Sequence, residues 1–252
     1  MYCLILIEKP LKIKNTLLLL LVFSFSCASV FSQQGKVDPT FNTYDDGLLG
    51  DGFDNTVRTL SVQDDGKLIV GGDFLNFNGV ATPYLCRLLP DGSKDASFFL
   101  GTGFNNKVYT SLLQPDGKIL VAGSFTQFNG TAVGRLVRLN PDGSRDSSFT
   151  ASPGATNSII YNMVLQSDGS IFLVGSFTSF NGTAANRIVK ILPNGAVDTS
   201  FVTGSGASGL IEKVALQPDG KIIIGGGFSS FNGVSVGKIA RLNANGTLDT
   251  SF

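Results

Sequence analysis

Carboxylates carry most of the chemistry open to this chain. Its 19 acidic residues are all Asp except Glu8 and Glu212, and it contains no histidine. Without imidazole the Ser-His and Cys-His nucleophile systems, the usual zinc sites and the commonest general base are excluded. Two Asp at a suitable separation could still hydrolyse a glycosidic bond, and Asp51 and Asp54 in a glycine-rich stretch are the candidates for that work. Together with Asp45 and Asp46 they also offer hard oxygen ligands for Ca²⁺ over Asn42–Asn55. Their spacing follows no known calcium loop, so a solvated loop is the favoured reading. On these signals no catalytic, cofactor-binding or metal-binding residue is assigned, and no cofactor is expected.

Other reactive or recognition-type residues recur at a fixed period, which argues for structural roles. Phe-Asn-Gly stands at Phe77, Phe128, Phe180 and Phe231, with steps of 51, 52 and 51 residues. Each copy belongs to a Phe-x-x-Phe pair: Phe74/Phe77, Phe125/Phe128, Phe177/Phe180 and Phe228/Phe231. These rings could form a carbohydrate platform, but wedging between repeated units is favoured. Arg87, Arg138, Lys190 and Arg241 each lie eight residues before an Asp: Asp95, Asp146, Asp198 and Asp249. A three-residue bulged loop between them would set each basic residue directly opposite its Asp across a hairpin, as a structural ion pair. Cys86 aligns with Val137, Val189 and Ala240, which marks a small buried residue. The Asn-Gly-Thr sequons at Asn129, Asn181 and Asn245 are by-products of turn chemistry.

The elements that must hold these residues can be read from the turns. Asp65-Gly66, Asp116-Gly117, Asp168-Gly169 and Asp219-Gly220 form one series; Asp91-Gly92, Asp142-Gly143, Asn194-Gly195 and Asn245-Gly246 form the other. In both, Gly takes the left-handed position that closes a hairpin. The flanking runs, such as Val57–Gln63 with Lys67–Gly72 and Leu85–Leu89 with Lys94–Phe98, are short, apolar and rich in branched side chains. Four such strands per unit of about fifty residues predict an all-β fold, a β-propeller of four-stranded antiparallel blades. The units fall at 42–98, 99–149, 150–201 and 202–252. Asp38-Pro39-Thr40-Phe41 repeats the phrase that ends each unit, so five tail phrases serve four units. That surplus favours a partial propeller over a closed four-bladed ring.

Residues 1–32 read as a signal peptide. Lys9, Lys12 and Lys14 precede the apolar run Leu17–Phe25, and cleavage is placed after Ser32. The run is too short to span a bilayer, and lipidation at Cys27 is disfavoured because the usual aliphatic residue three places upstream is missing. Its removal leaves 16 basic against 18 acidic residues, a net charge of −2. Nucleic acid is therefore an unsuitable partner, and Cys86, the sole remaining cysteine, leaves no intramolecular disulfide.

The segment LQPDGKILVAGSFTQFNGTAVGRLVRLNPDGSRDSSF, Leu113 to Phe149, resembles the delta-60 repeat family of bacterial exported and surface proteins, and the likeness runs from Val37 to Phe252. The resemblance implies a propeller and export, with no defined activity. The expectation is therefore a secreted or cell-surface, non-catalytic binding or scaffold module for extracellular protein or glycan partners, with further blades or a partner chain as company. An exported carbohydrate-active enzyme using Asp carboxylates and a purely structural spacer are the alternatives.

Overall fold

A computed structural model describes residues 38–43, 51–151, 154–155 and 157–252. The expected leader, Cys27, Asp45 and Asp46 lie outside the described residues. Among those described there is no helix, hence none long and apolar enough to cross a membrane.

Twenty strands repeat one pattern four times. The first blade comprises β1 (Val57–Val62), β2 (Leu68–Gly72), β3 (Asn76–Phe77), β4 (Val80–Ala81) and β5 (Leu85–Leu88). The second repeats it as β6 (Val108–Leu113), β7 (Ile119–Gly123), β8 (Gln127–Phe128), β9 (Thr131–Ala132) and β10 (Leu136–Leu139). The third holds β11 (Ile160–Leu165), β12 (Ile171–Gly175), β13 (Ser179–Phe180), β14 (Thr183–Ala184) and β15 (Ile188–Ile191). The fourth holds β16 (Ile211–Leu216), β17 (Ile222–Gly226), β18 (Ser230–Phe231), β19 (Val234–Ser235) and β20 (Ile239–Leu242). In each, the first, second and fifth strands form one antiparallel sheet with the second at its centre, and the two short strands form a separate hairpin. The Asn-Gly pair closes that small hairpin with both residues at positive φ, Asn78 at 48° and Gly79 at 70°, the backbone a primed two-residue turn demands.

The propeller expectation holds, with one change inside the blade. The fourth strand contracts to a single bridge per unit, Leu88 to Lys94, Leu139 to Arg145, Ile191 to Val197 and Leu242 to Leu248. Beyond it the Asp side chain captures the backbone: Ser97 N and Oγ both donate to Asp95 Oδ1, and Phe98 N donates to the Asp95 carbonyl. A local side-chain turn thus replaces the ladder that a longer strand would need.

Neighbouring blades pack sheet on sheet. The continuous apolar runs at the blade centres bury both faces: Ile119 and Val121 point toward the first blade, while Leu120 and Ala122 join the core shared with the third. Three of the four Phe pairs are wedges, as the repeat suggested, whereas Phe74 and Phe77 pack within the first blade against Val70, Cys86 and Leu88. Phe125 and Phe128 share a cluster with Ile69 and Leu85, and Phe228 and Phe231 share one with Phe172, Val174 and Ile188. The first strands of successive blades lie side by side, β1 with β6, β6 with β11, β11 with β16.

Asp38–Asn42 explains the fifth tail phrase. Phe99, Thr150 and Val202, each following a blade's tail, donate their N–H to the second turn of the next blade, at Asp142, Asn194 and Asn245. Asn42 N donates to Asp91 O at 2.8 Å in the same way. The segment therefore sits on the first blade as the tail of a preceding blade would.

Candidate functional site

The four repeated ion pairs are in place and are structural. Arg87 Nε donates to Asp95 Oδ2 at 2.8 Å and Arg138 Nε to Asp146 Oδ2 at 2.8 Å; Arg241 meets Asp249 at 2.7 Å and Lys190 meets Asp198 at 3.1 Å. The register is the one the bulged loop implied, with Leu89 N donating to Ser93 O and Asp95 N to Arg87 O. Each Arg reaches further than its Asp. Arg87 Nη1 donates to Pro141 O and Arg138 Nη1 to Pro193 O, both in the next blade, and their guanidinium groups lie 4.6 Å from the centroids of Phe98 and Phe149. Burial alone would push the Asp95 and Asp146 carboxyls up, but Ser hydroxyl, backbone and cationic donors outweigh it and hold both below the usual carboxylate range. Carboxylates so fully engaged have no proton to trade.

Asp54 is likewise spent on the fold. Its carboxylate accepts from Leu75 N, Asn76 N and Asn76 Nδ2, the Asn76 backbone bond being the largest of the donors that lower its pKa. Asn105 accepts from Thr126 N and Gln127 N at the matching place in the second blade, and Ser208 from Ser229 N and Ser230 N in the fourth. A cap that Asn and Ser fill equally well is not a general acid. No group of three His, Cys, Asp or Glu arranged to hold a metal ion occurs among the described residues. The Cys86 thiol is buried and pushed up to about 12 by desolvation, which leaves it almost wholly protonated and inert at neutral pH. The sequon residues Asn129 and Asn181 turn their carbonyls inward, accepting from Gly103 N and Gly154 N.

The feature that repeat reading passed over lies at the seam of the first and second blades. A cleft of about 470 Å³ is lined by Thr82, Lys94, Asp95, Phe98, Phe99 and Leu100 among others. That volume falls in the range of small-molecule sites, roughly 300–1,000 Å³. Phe99 stands on its rim with 76% of its surface exposed. Its backbone is fixed by the bond to Asp142 O, so the ring is presented on an anchored segment. Lys94 Nζ reaches Thr82 Oγ1 at 2.8 Å, placing an ammonium and a hydroxyl in the same hollow. An exposed aromatic face beside fixed polar groups suits a sugar ring or a peptide side chain. The available signal was a departure from the repeat: Phe99 stands where the other units have Thr150 and Val202.

The model of a family described as a domain of unknown function (DUF5122) β-propeller matches residues 63–98, 114–149, 166–201 and 217–252. No curated protein matches the sequence. Similar solved structures include virginiamycin B lyase from Staphylococcus aureus (16% identity, 69% of this chain and 50% of that one, TM-score 0.45). They also include a gluconolactonase from Xanthomonas campestris (13%, 76% and 60%, TM-score 0.46). A third is the extracellular domain of a hybrid two-component system from B. thetaiotaomicron (14%, 83% and 23%, TM-score 0.46). This chain spans between about a fifth and three fifths of the length of these solved proteins. The expectation of a chain without enzymatic activity is corrected on this finding. Enzymes stand among the similar propellers, so the fold does not license that exclusion.

Proposed function

The chain belongs to the DUF5122 β-propeller family, and we propose that it is a binding or scaffold module for a protein or glycan partner outside the cytoplasm. The observation that carries this reading is the 76%-exposed Phe99 ring beside the cleft that holds Lys94 and Thr82. A large exposed aromatic on an anchored backbone brings contact area at low entropic cost, which is what recognition surfaces use. Export rests on the basic and apolar N-terminal segment, Lys9 to Phe25, and the delta-60 assignment on the PDGKI, FNG and DxSF phrases. The Asp51 and Asp54 route to glycoside hydrolysis has no support in the geometry, because Asp54 is a backbone cap.

The test screens a glycan array and a displayed peptide library against wild-type protein and Phe99→Ala. The expected result is at least one binder whose affinity falls tenfold or more in the variant. No binder in either screen, or binders indifferent to Phe99→Ala, removes the reading. Fractionation of producing cells tests export separately, and protein retained in the cytoplasm at full length would overturn that part.

A further inference from the structure

Three departures from the repeat meet in one cleft, at the seam of the first and second blades. Thr82 stands where the other units have Val133, Ala185 and Val236, and Lys94 where they have Arg145, Val197 and Leu248. Phe99 stands where they have Thr150 and Val202. Hydroxyl, ammonium and aromatic ring coincide only in the first unit, and all three line the same hollow of about 470 Å³. Whatever serves the blades as such would recur at every seam, so this combination answers to something bound there.

Charge narrows the class of ligand. The charged residues lining the cleft are Arg87, Asp95 and Lys94. Arg87 and Asp95 neutralise one another across 2.8 Å, and the Asp95 carboxylate is further engaged by Ser97. Among the described residues Lys94 is held by neutral oxygens alone, Thr82 Oγ1 at 2.8 Å and Ala81 O at 3.4 Å. The hollow therefore keeps one positive charge unbalanced. Thr82 Oγ1 donates to Val80 O, which turns its lone pairs toward the ammonium and positions that group before any ligand arrives. Of the three ammonium N–H groups one remains to be given. A single monovalent anion such as a carboxylate fits it, whereas a phosphate monoester, with nearly two charges, would stay half-neutralised.

The rest of the lining shapes the body of the ligand. The backbone N–H groups of Thr82, Leu85, Asp95, Phe98 and Phe99 all donate within the protein, and Pro83 has none. An extended peptide therefore finds no strand edge to join. What the cleft offers instead is the exposed Phe99 ring, and a sugar packs the C–H face of its own ring on an aromatic without needing backbone partners. We propose, resting on the reading of this cleft as a binding site, that it takes an acidic sugar, with the carboxylate on Lys94 and the sugar ring on Phe99.

Titration calorimetry on the whole chain with oligogalacturonate, oligomannuronate and sialyllactose, each set against its methyl ester, tests this. At least one acid is expected to bind about fivefold or more tighter than its ester, the size a pre-positioned ion pair at a partly exposed site gives. Added salt should shrink that margin. Lys94→Met should erase it while leaving the ester's affinity intact, which also shows the variant to be folded. Thr82→Val should reduce the margin, and Phe99→Ala should weaken acid and ester alike. Arg145→Met, at the matching place in the second blade, should change neither. No acid preferred over its ester, a preference that survives Lys94→Met, or a sulfated analogue preferred to the acid overturns the assignment. A neutral glycan or a peptide whose binding depends on Phe99 overturns the acidic ligand while keeping the cleft as a binding site.

Discussion

Arg138 and Asp146 form a pair whose significance lies beyond the hairpin that holds them: the same guanidinium that bonds Asp146 Oδ2 at 2.8 Å also donates to Pro193 O of the following blade at 2.7 Å. One residue thereby fastens its own turn and the junction behind it. Desolvating such a pair costs free energy that only complete hydrogen bonding offsets, so losing one partner is worse than losing both.

Arg138→Ala is expected to destabilise the protein by about 2–3 kcal/mol, since it leaves the Pro193 carbonyl unbonded and the buried Asp146 with Lys118, at 3.1 Å, as its remaining cationic partner. Arg241→Ala in the fourth blade, where the pair is more exposed and no bond to another blade is formed, is expected to cost about 1 kcal/mol or less. Urea midpoints for the two variants would check the order; equal losses would contradict it.

The lowered carboxyls predict an acid limit. Asp95, Asp146 and Asp198 titrate below their unfolded value of about 3.9. Their contribution is therefore present above that pH and is lost as pH falls through the lowered folded values, where the unfolded chain binds more protons. Thermal melts between neutral pH and strong acid should decline below about pH 4, and Asp146→Asn should start lower at neutral pH but decline less steeply.

Phe177 and Phe99 should respond in opposite ways to truncation. Phe177 is fully buried among residues of the second and third blades, and Phe177→Ala is expected to cost about 3–5 kcal/mol through lost burial and the cavity left behind. Phe99→Ala should stay within about 0.5 kcal/mol of wild type, as exposed positions generally do, while weakening the binding proposed at the cleft tenfold or more. Parallel denaturation and binding measurements separate the two effects.

Cys86 should resist alkylation in the native protein. With the thiol buried and pushed up to about 12, iodoacetamide at neutral pH should leave its peptide unlabelled and should label it fully in denaturant. Native labelling at a rate typical of exposed thiols would show the first blade to be open.

Gly175 sits where a Cβ would meet the Ile159 carbonyl at 2.1 Å, and Gly123 stands the same way against Lys107 O at 2.2 Å. Backbone on both sides cannot yield cheaply, so Gly175→Ala should lower the melting temperature, whereas Gly237→Ala, with open space around it, should not. Calorimetry on the two variants decides this.

What the sequence determined by itself was whatever repeats or acts locally. The 51-residue period specifies blades, the Asp-Gly and Asn-Gly turns specify hairpins, and the eight-residue step from Arg87 to Asp95 specifies a cross-strand pair, because turn geometry and strand register are settled within a few residues. The tertiary structure alone decided what depends on neighbours far along the chain. The fourth strand gave way to an Asp-centred turn, a competition between side chain and ladder that spacing does not resolve. Asp54 became a cap because Leu75 and Asn76 come within reach, and Asp38–Asn42 found its seat only once the turn at Asp91 existed. The ends are the clearest case. Ile188 and Ile239 carry the same side chain at the same place in the repeat, yet one is buried and the other exposed, because burial belongs to the junction between blades and not to the residue.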